Sequence, residues 1–220
     1  MEIVLSSLLE VFDYDTSENS QHASAINGVL GEDLALALTL HYFNDTGNTP
    51  IVLSRRCTQG KKRGKRLDAW LKANIAGESV RLQTEIKNWT AHSIGGESIP
   101  RDARYDDLSD YRVRRWNKRF NSTLGKPRDE DAQKVLLPMK YDSDGLLVKP
   151  LIIFWESMHP KGLEEPFFEV DVVSDSFSTL FVFSLSNYVR VLISKGMNTL
   201  IVEMPSTRMR MNLLQSIVKI

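Results

Sequence analysis

Residues 80–87 read VRLQTEIK and alternate strictly between two kinds of side chain. Apolar residues and one threonine occupy the even positions, and polar or charged residues occupy the odd ones. This period of two predicts a β-strand with one apolar and one polar face. Since residues two apart project to the same side, Glu85 and Lys87 share the polar face, and Ile86 points into the core.

A second alternating segment precedes this strand. Residues 67–73 read LDAWLKA, with apolar residues at the odd positions and Asp68 among the even ones. Residues 74–79 contain Gly77 and predict a hairpin turn between the two strands. A short turn brings Asp68 and Glu85 together at the end of the hairpin far from the turn. Two carboxylates and a lysine at adjacent strand ends can hold a divalent metal against a phosphate.

The Glu-x-Lys triplet also has a simpler interpretation. On the polar face of a strand, such a triplet is usually a solvated surface, and many chains contain one by chance. The aspartate on its own predicted strand favours a functional site. Two further features, a helix with acids and a basic loop, favour it again.

The helix is predicted over residues 27–43, NGVLGEDLALALTLHYF, which are nearly all apolar and therefore largely buried. Glu32 and Asp33 are expected in its first turn, where acids favour the positive end of the helix dipole. One interpretation is that they cap the helix. The other is that one of them is a third acid brought to the metal.

The loop at residues 55–66, RRCTQGKKRGKR, has seven basic residues in twelve and no acid. Basic side chains at this density bind phosphate backbones without reading sequence. The alternative is a solvated loop without a binding role. The position of residues 55–66 just ahead of Asp68 favours the interpretation that they bind the substrate. The predicted nucleic-acid contacts are Arg55, Arg56, Lys61, Lys62, Arg63, Lys65 and Arg66.

The order of these features resembles the PD-(D/E)XK nuclease superfamily, which has a restriction-endonuclease-like fold. The shared order is a helix with an acid, a strand, a strand with Asp68, a strand with Glu85-Ile86-Lys87, and a helix. The resemblance covers residues 27–120 well and the rest only by pattern. Leu67 stands where the namesake proline would be, at a position that varies within the superfamily.

This resemblance implies catalytic roles for particular residues. Asp68 and Glu85 match the metal-binding carboxylates, and the main-chain carbonyl of Ile86 matches a third ligand. Lys87 matches the catalytic lysine that holds or polarises the attacking water. Glu32 is the best match for the acid on the first helix, with Asp33 as the neighbouring alternative.

The implied function is metal-dependent hydrolysis of phosphodiester bonds, with magnesium as the cofactor and manganese as a substitute. A DNA endonuclease of the restriction or phage-defence type is favoured, with DNA preferred over RNA. A homodimer would suit cleavage of two strands. The alternative is a non-catalytic module on the same fold that binds nucleic acid or an acidic protein.

Composition sets the remaining bounds. The 220 residues suit one domain spanning residues 1–220. The 28 basic and 28 acidic side chains balance, so the loop at 55–66 is a local concentration of charge.

Cys57 is the single cysteine, which excludes an internal disulfide and favours a reducing cytoplasm. No apolar run is long enough to span a bilayer, so no membrane partner is expected. The chain also lacks a glycine-rich nucleotide loop and zinc-ligand spacing, which argues against ATP chemistry and a zinc site.

The fold class expected from these patterns is α/β, with a mixed central sheet flanked by helices and further strand-helix elements at the carboxyl end. A short helix or strand is predicted at residues 2–12. The other predicted strands are 49–56, 149–155, 167–173, 179–183 and 198–204. The other predicted helices are 102–120, 185–194 and 206–220, with a polar loop at 121–131.

Overall fold

The structure is a computed structural model that describes residues 1–13, 19–54, 57–58, 66–87, 134–140, 145–155, 165–172 and 174–218. Both helices and strands occur in these segments, and five strands follow one another between residues 51 and 87. The predicted helix at 102–120 and the predicted loop at 121–131 lie outside the described residues. Within the described ranges, no helix is long and apolar enough to cross a membrane.

The described residues contain ten strands and four α-helices. The strands are β1 (Glu2–Val4), β2 (Ile51–Ser54), β3 (Cys57–Thr58), β4 (Arg66–Leu67), β5 (Ala69–Ile75), β6 (Glu78–Lys87), β7 (Leu147–Phe154), β8 (Phe167–Asp171), β9 (Thr179–Ser184) and β10 (Thr199–Ile201). The helices are α1 (Leu5–Asp13), α2 (Asn19–Asp45), α3 (Leu185–Ser194) and α4 (Pro205–Ile217), with a short 3-10 helix at Lys134–Leu136.

A six-stranded sheet with the order β2-β5-β6-β7-β9-β8 forms the centre of the described structure. β7 runs parallel to β6 and to β9, whereas the other neighbouring strands pair antiparallel. The predicted α/β class with a mixed central sheet is therefore confirmed. The strands expected in the carboxyl-terminal third are present, although β10 is shorter than predicted.

The hairpin of β5 and β6 matches its prediction, with a tighter turn. Its register pairs Ala69 with Thr84 at one end and Ile75 with Glu78 at the other. Ala76 and Gly77 alone form the turn, with φ angles of 52° and 84°. Two left-handed residues in succession make the kind of turn whose twist suits a hairpin. The tight turn extends the pairing and fixes which residues meet at the opposite end.

One face of the sheet is covered by α1, α2 and α3. The apolar positions of β5 and β6, such as Leu71 and Leu82, pack there with Leu38 of α2 and Leu192 of α3. α2 begins at Asn19, earlier than predicted, so Glu32 and Asp33 lie in mid-helix rather than in the first turn. The expectation of first-turn acids is thus wrong, because the polar segment ahead of residue 27 continues the helix.

The other face of the sheet is covered by residues 134–139, hereafter the cover segment. Val135 and Met139 from this segment pack in an apolar cluster with Trp70, Ile152 and other sheet residues. The polar positions 81, 83 and 85 of β6 lie on this face and are buried. The interpretation of this face as a solvated surface is therefore wrong at these positions, and a segment distant in sequence contacts Gln83 and Glu85.

The first and last parts of the chain meet beside the central sheet. β1 pairs antiparallel with β10, and the amino group of Met1 donates to the carbonyl oxygen of Val202 at 2.6 Å. Leu5 and Met204 share the apolar cluster formed by α1, α2 and α3. These contacts join residues 1–5 to residues 199–204. The assignment of residues 1–220 to a single domain stays a prediction.

Candidate active site

Asp68 is the residue that separates β4 from β5. Its own N–H donates to the carbonyl oxygen of Thr84 at 3.0 Å, which continues the pairing with β6. Its side chain is half-buried, and Oδ2 accepts a hydrogen bond from the N–H of Ile86 at 2.7 Å. The Asp68 carboxylate thus accepts a hydrogen bond from the main chain of β6. Asp68, for which a metal-binding role was predicted, therefore also has a structural contact.

The main-chain carbonyl of Ile86 was predicted as a third metal ligand. In a strand, the N–H and C=O groups of one residue point to the same edge. Since the N–H of Ile86 points to Asp68, its carbonyl faces that same edge of β6. The direction of the carbonyl suits the predicted role, which stays a prediction.

Glu85 is the most deeply buried acid of the candidate site, with 1% of its side chain exposed. Its Oε1 atom lies 2.7 Å from Nζ of Lys87 and 2.8 Å from Nζ of Lys134. Its Oε2 atom is buried and has no hydrogen-bond partner among the described residues. One carboxylate oxygen therefore contacts two ammonium groups, whereas the described residues provide no donor for the other.

Burial controls the ionisation of Glu85. Desolvation raises the pKa of its carboxyl, and the nearby Asp68 carboxylate raises it further. Lys134 and Lys87 act in the opposite direction, but the pKa still rises from 4.5 to about 7. Such shifts occur both in functional sites and in structural ion-pair networks, so this carboxyl makes the position a candidate site.

Lys134 was missed by the sequence analysis. It begins the 3-10 helix, and the side chain of Gln83 anchors the cover segment that follows. Gln83 Nε2 donates to the carbonyl oxygens of Val135 and Leu137, and Gln83 Oε1 accepts from the N–H of Met139. No local pattern indicates this contact, because it depends on a pairing between residues far apart in the chain.

The two acids of α2 have different surroundings. Glu32 is exposed, whereas Asp33 is buried and its Oδ2 accepts a hydrogen bond from the N–H of Thr207 at 2.8 Å. Thr207 lies in the first turn of α4, where main-chain N–H groups have no acceptor within the helix. Asp33 therefore acts as a capping acceptor for α4. The structure thus gives Asp33 a structural contact. The role of Glu32 as the helix acid stays a prediction.

The basic loop lies largely outside the described residues, which include neither Arg55 and Arg56 nor the basic residues at 61–65. Arg66 is described and exposed. β3 and β4 pair antiparallel, with Thr58 opposite Arg66, and enclose residues 59–65 of the loop. This short ribbon leads directly to Asp68, so the loop sequence is connected to the candidate site through β4.

The donor set can be tested for its fit to magnesium. Among the described residues, no three His, Cys, Asp or Glu side chains group closely enough to hold a metal. Magnesium, however, commonly uses one or two carboxylates and keeps several waters. Asp68 and Glu85 supply two carboxylates, and the buried Oε2 atom of Glu85 has no donor within the part of the chain that the structure describes. Buried polar atoms normally have partners, so this atom favours the fit.

Comparisons with models of protein families, with curated protein sequences and with solved structures find no match to this chain. The resemblance to the PD-(D/E)XK nucleases therefore depends on the residues and element order alone. The chemistry of the site is that of two carboxylates, Asp68 and Glu85, with two lysine ammonium groups against Glu85. Carboxylates are groups that bind a divalent cation, and ammonium groups are groups that bind a phosphate.

Proposed function

We propose that this protein is a metal-dependent nuclease of the PD-(D/E)XK type that hydrolyses phosphodiester bonds. The observation that carries the proposal is the buried carboxylate of Glu85. Lys87 contacts one of its oxygens, and no described residue donates to the other. Asp68 lies at the same end of the hairpin and acts electrostatically on Glu85. A carboxylate pair and a lysine are the groups that this chemistry requires.

The element order gives further support. A long helix precedes three antiparallel strands, β2, β5 and β6, and the next strand of the sheet, β7, lies parallel to β6. This agrees with the helix-strand-strand-strand order on which the resemblance is based. The restriction-endonuclease-like core is part of the proposal.

Each residue of the site has a defined role in this proposal. Asp68 and Glu85 would hold magnesium, or manganese in its place, through carboxylate oxygens. The bound ion would acidify a water molecule and neutralise charge on the phosphate. Lys87 would orient the attacking water and stabilise negative charge on the phosphoryl oxygens. Burial of Glu85 keeps competing water away from its oxygens, which strengthens both interactions.

The test is cleavage of plasmid, linear and single-stranded DNA and of RNA, with magnesium, manganese or EDTA. We expect cleavage that requires the metal and falls on the order of 100-fold or more in Glu85→Gln and Lys87→Met. Asp68→Asn should behave likewise. Its amide oxygen can still accept from the N–H of Ile86, so the fold should persist.

Lys195→Met is the matched control for these substitutions. Lys195 is an exposed lysine that contacts Asp45 at 3.2 Å, and its replacement should leave cleavage unchanged. Full activity in Asp68→Asn or Glu85→Gln would overturn the metal-site assignment. A magnesium titration by calorimetry, with wild type and Glu85→Gln, gives a second readout that does not depend on substrate.

The substrate and setting are further parts of the proposal. DNA is favoured over RNA, and internal cutting in restriction or phage defence is the favoured role. A homodimer would place two such sites on two strands, which sedimentation with and without DNA can test. Cytoplasmic location accords with this role and is testable by fractionation.

The second candidate function is a non-catalytic module that binds nucleic acid or an acidic protein. Two observations favour it: Asp68 accepts from the main chain, and Glu85 Oε1 is held by two lysines. Such contacts also describe a structural ion cluster. Salt-dependent binding of nucleic acid without cleavage in either metal would support this candidate over the nuclease.

A further inference from the structure

Lys134 and Lys87 stand in equivalent positions around Glu85. Their Nζ atoms lie 2.8 Å and 2.7 Å from the same oxygen, Oε1. Lys87 comes from the end of β6, whereas Lys134 comes from the 3-10 helix of the cover segment. Two independent elements therefore bring an ammonium group to one carboxylate oxygen.

Exposure sets the order in which a ligand meets these groups. The side chain of Glu85 is 1% exposed, whereas those of Lys87 and Lys134 are 12% and 18% exposed. A phosphate arriving from solvent would thus contact the lysines before the carboxylate. Lysine ammonium groups bind phosphate oxygens as point charges and need no fixed orientation.

The position of Lys134 is fixed by the main chain that follows it. Gln83 uses both atoms of its side-chain amide to bond the cover segment at Val135, Leu137 and Met139. These bonds are buried or partly buried. Gln83 lies two residues before Glu85 on the same face of β6, so this anchor places the start of the 3-10 helix over the site.

We propose that Lys134 is a second cationic contact for the phosphate that is cleaved, in addition to Lys87. The inference rests on the proposed nuclease function and identifies a substrate-binding residue of that site. In the free protein, Glu85 holds both ammonium groups in place. In the complex, the phosphate oxygens share them.

The experiment measures DNA binding in EDTA, where no cleavage occurs, over a range of salt concentrations. Each phosphate neutralised contributes a slope of about −0.9 to log K against log salt on B-DNA. We expect Lys134→Met to make the slope less negative by about that amount, and Lys134→Arg to restore it. A lysine that only oriented Glu85 would leave the slope unchanged.

The matched control is Lys149→Met. Lys149 also contacts a single glutamate oxygen, Glu169 Oε1 at 3.1 Å, but its ammonium lies over Phe181, on the other face of the sheet. The salt slope of Lys149→Met should equal that of the wild type.

A second comparison uses Glu85→Gln, which releases both lysines from a negative partner and should tighten DNA binding. Adding Lys134→Met to Glu85→Gln should remove part of this gain in affinity.

The outcomes separate the two proposals. The first outcome is that the wild type binds and cuts DNA, but Lys134→Met does not change the slope of log K against log salt in the wild type or in Glu85→Gln. This outcome would overturn the role of Lys134 and leave the nuclease intact. Wild-type protein without salt-dependent binding of DNA or RNA would overturn the nuclease itself. Thermal melting of each variant shows whether the fold is retained, and Lys134→Gln, which removes the charge but keeps a polar side chain, replaces Lys134→Met if that variant does not fold.

Discussion

Glu85 is the residue at which burial and charge most directly oppose each other. Its carboxyl is almost fully enclosed, yet two ammonium groups contact one of its oxygens. Burial and Asp68 outweigh these lysines and raise the pKa to about 7. At neutral pH the carboxyl is therefore close to the midpoint of its titration. A cation that bound Oε2 would favour the ionised form.

The raised pKa of Glu85 predicts how stability changes with pH. Between pH 4.5 and pH 7, the folded protein binds more protons at this carboxyl than the unfolded chain does. The free energy of unfolding should therefore fall as pH rises through this window, by ~3 kcal/mol from Glu85 alone. Urea denaturation at pH 4.5, 6 and 8 measures the effect.

Glu85→Gln is the control for this prediction, because its amide cannot ionise. Other groups titrate in both proteins, so the quantity to compare is the change in unfolding free energy with pH. We expect the wild type to lose about 3 kcal/mol more than the variant over this range. Equal changes in the two proteins would show that Glu85 has an ordinary pKa in the folded state.

At the scale of elements, the hairpin could be predicted because its information is local. Alternation along residues 80–87 and a glycine at position 77 are enough to indicate two strands and a turn. The burial of Glu85 could not be predicted in this way. The cover segment lies far along the chain, and the alternating polar residues of β6 are what a solvated face would also show.

The attachment of the cover segment depends on Gln83, a polar residue with no exposed surface. Gln83→Leu keeps a similar volume but leaves two carbonyls and one N–H of the segment without their partner. Each buried group left unpaired costs about 1–3 kcal/mol, so a loss on the order of 3 kcal/mol is expected. Hydrogen exchange should accelerate at residues 134–139 more than in the β5–β6 hairpin.

Thr84→Val is the matched substitution for Gln83→Leu. Thr84 is adjacent and buried, but its hydroxyl makes only a 3.4 Å contact with the carbonyl oxygen of Leu82. Its replacement should leave exchange in the cover segment unchanged. If Gln83→Leu also left that exchange unchanged, apolar packing of Val135 and Met139 would be sufficient to hold the segment.

At the scale of the whole molecule, contacts between distant parts of the chain decide which acids are available for chemistry. Asp33 shows this most clearly, since it bonds a residue 174 positions away. The sequence gives Glu32 and Asp33 the same apparent helix context, because neither the start of α2 nor the approach of α4 is a local property. Only the folded chain distinguishes an exposed acid from a buried one.

The contact between α2 and α4 leads to a prediction that separates Asp33 from its neighbour. Asp33→Ala leaves the buried N–H of Thr207 unpaired and removes a negative charge from the start of α4. A loss of about 1–2 kcal/mol is expected, with faster hydrogen exchange in the first turn of α4. Asp33→Asn keeps an acceptor and should recover much of this loss. Glu32→Ala should change stability by no more than ~0.5 kcal/mol, since Glu32 is exposed.

Cleavage assays on the same variants then show whether Glu32 or Asp33 contributes to catalysis or only to stability. If Glu32 is the helix acid of the nuclease, Glu32→Ala should lose cleavage while keeping its stability, and Asp33→Asn should keep both. Loss of cleavage in Asp33→Asn with full activity in Glu32→Ala would assign the catalytic role to Asp33. In that case, the hydrogen bond from the N–H of Thr207 would both stabilise the fold and position the Asp33 carboxylate for catalysis.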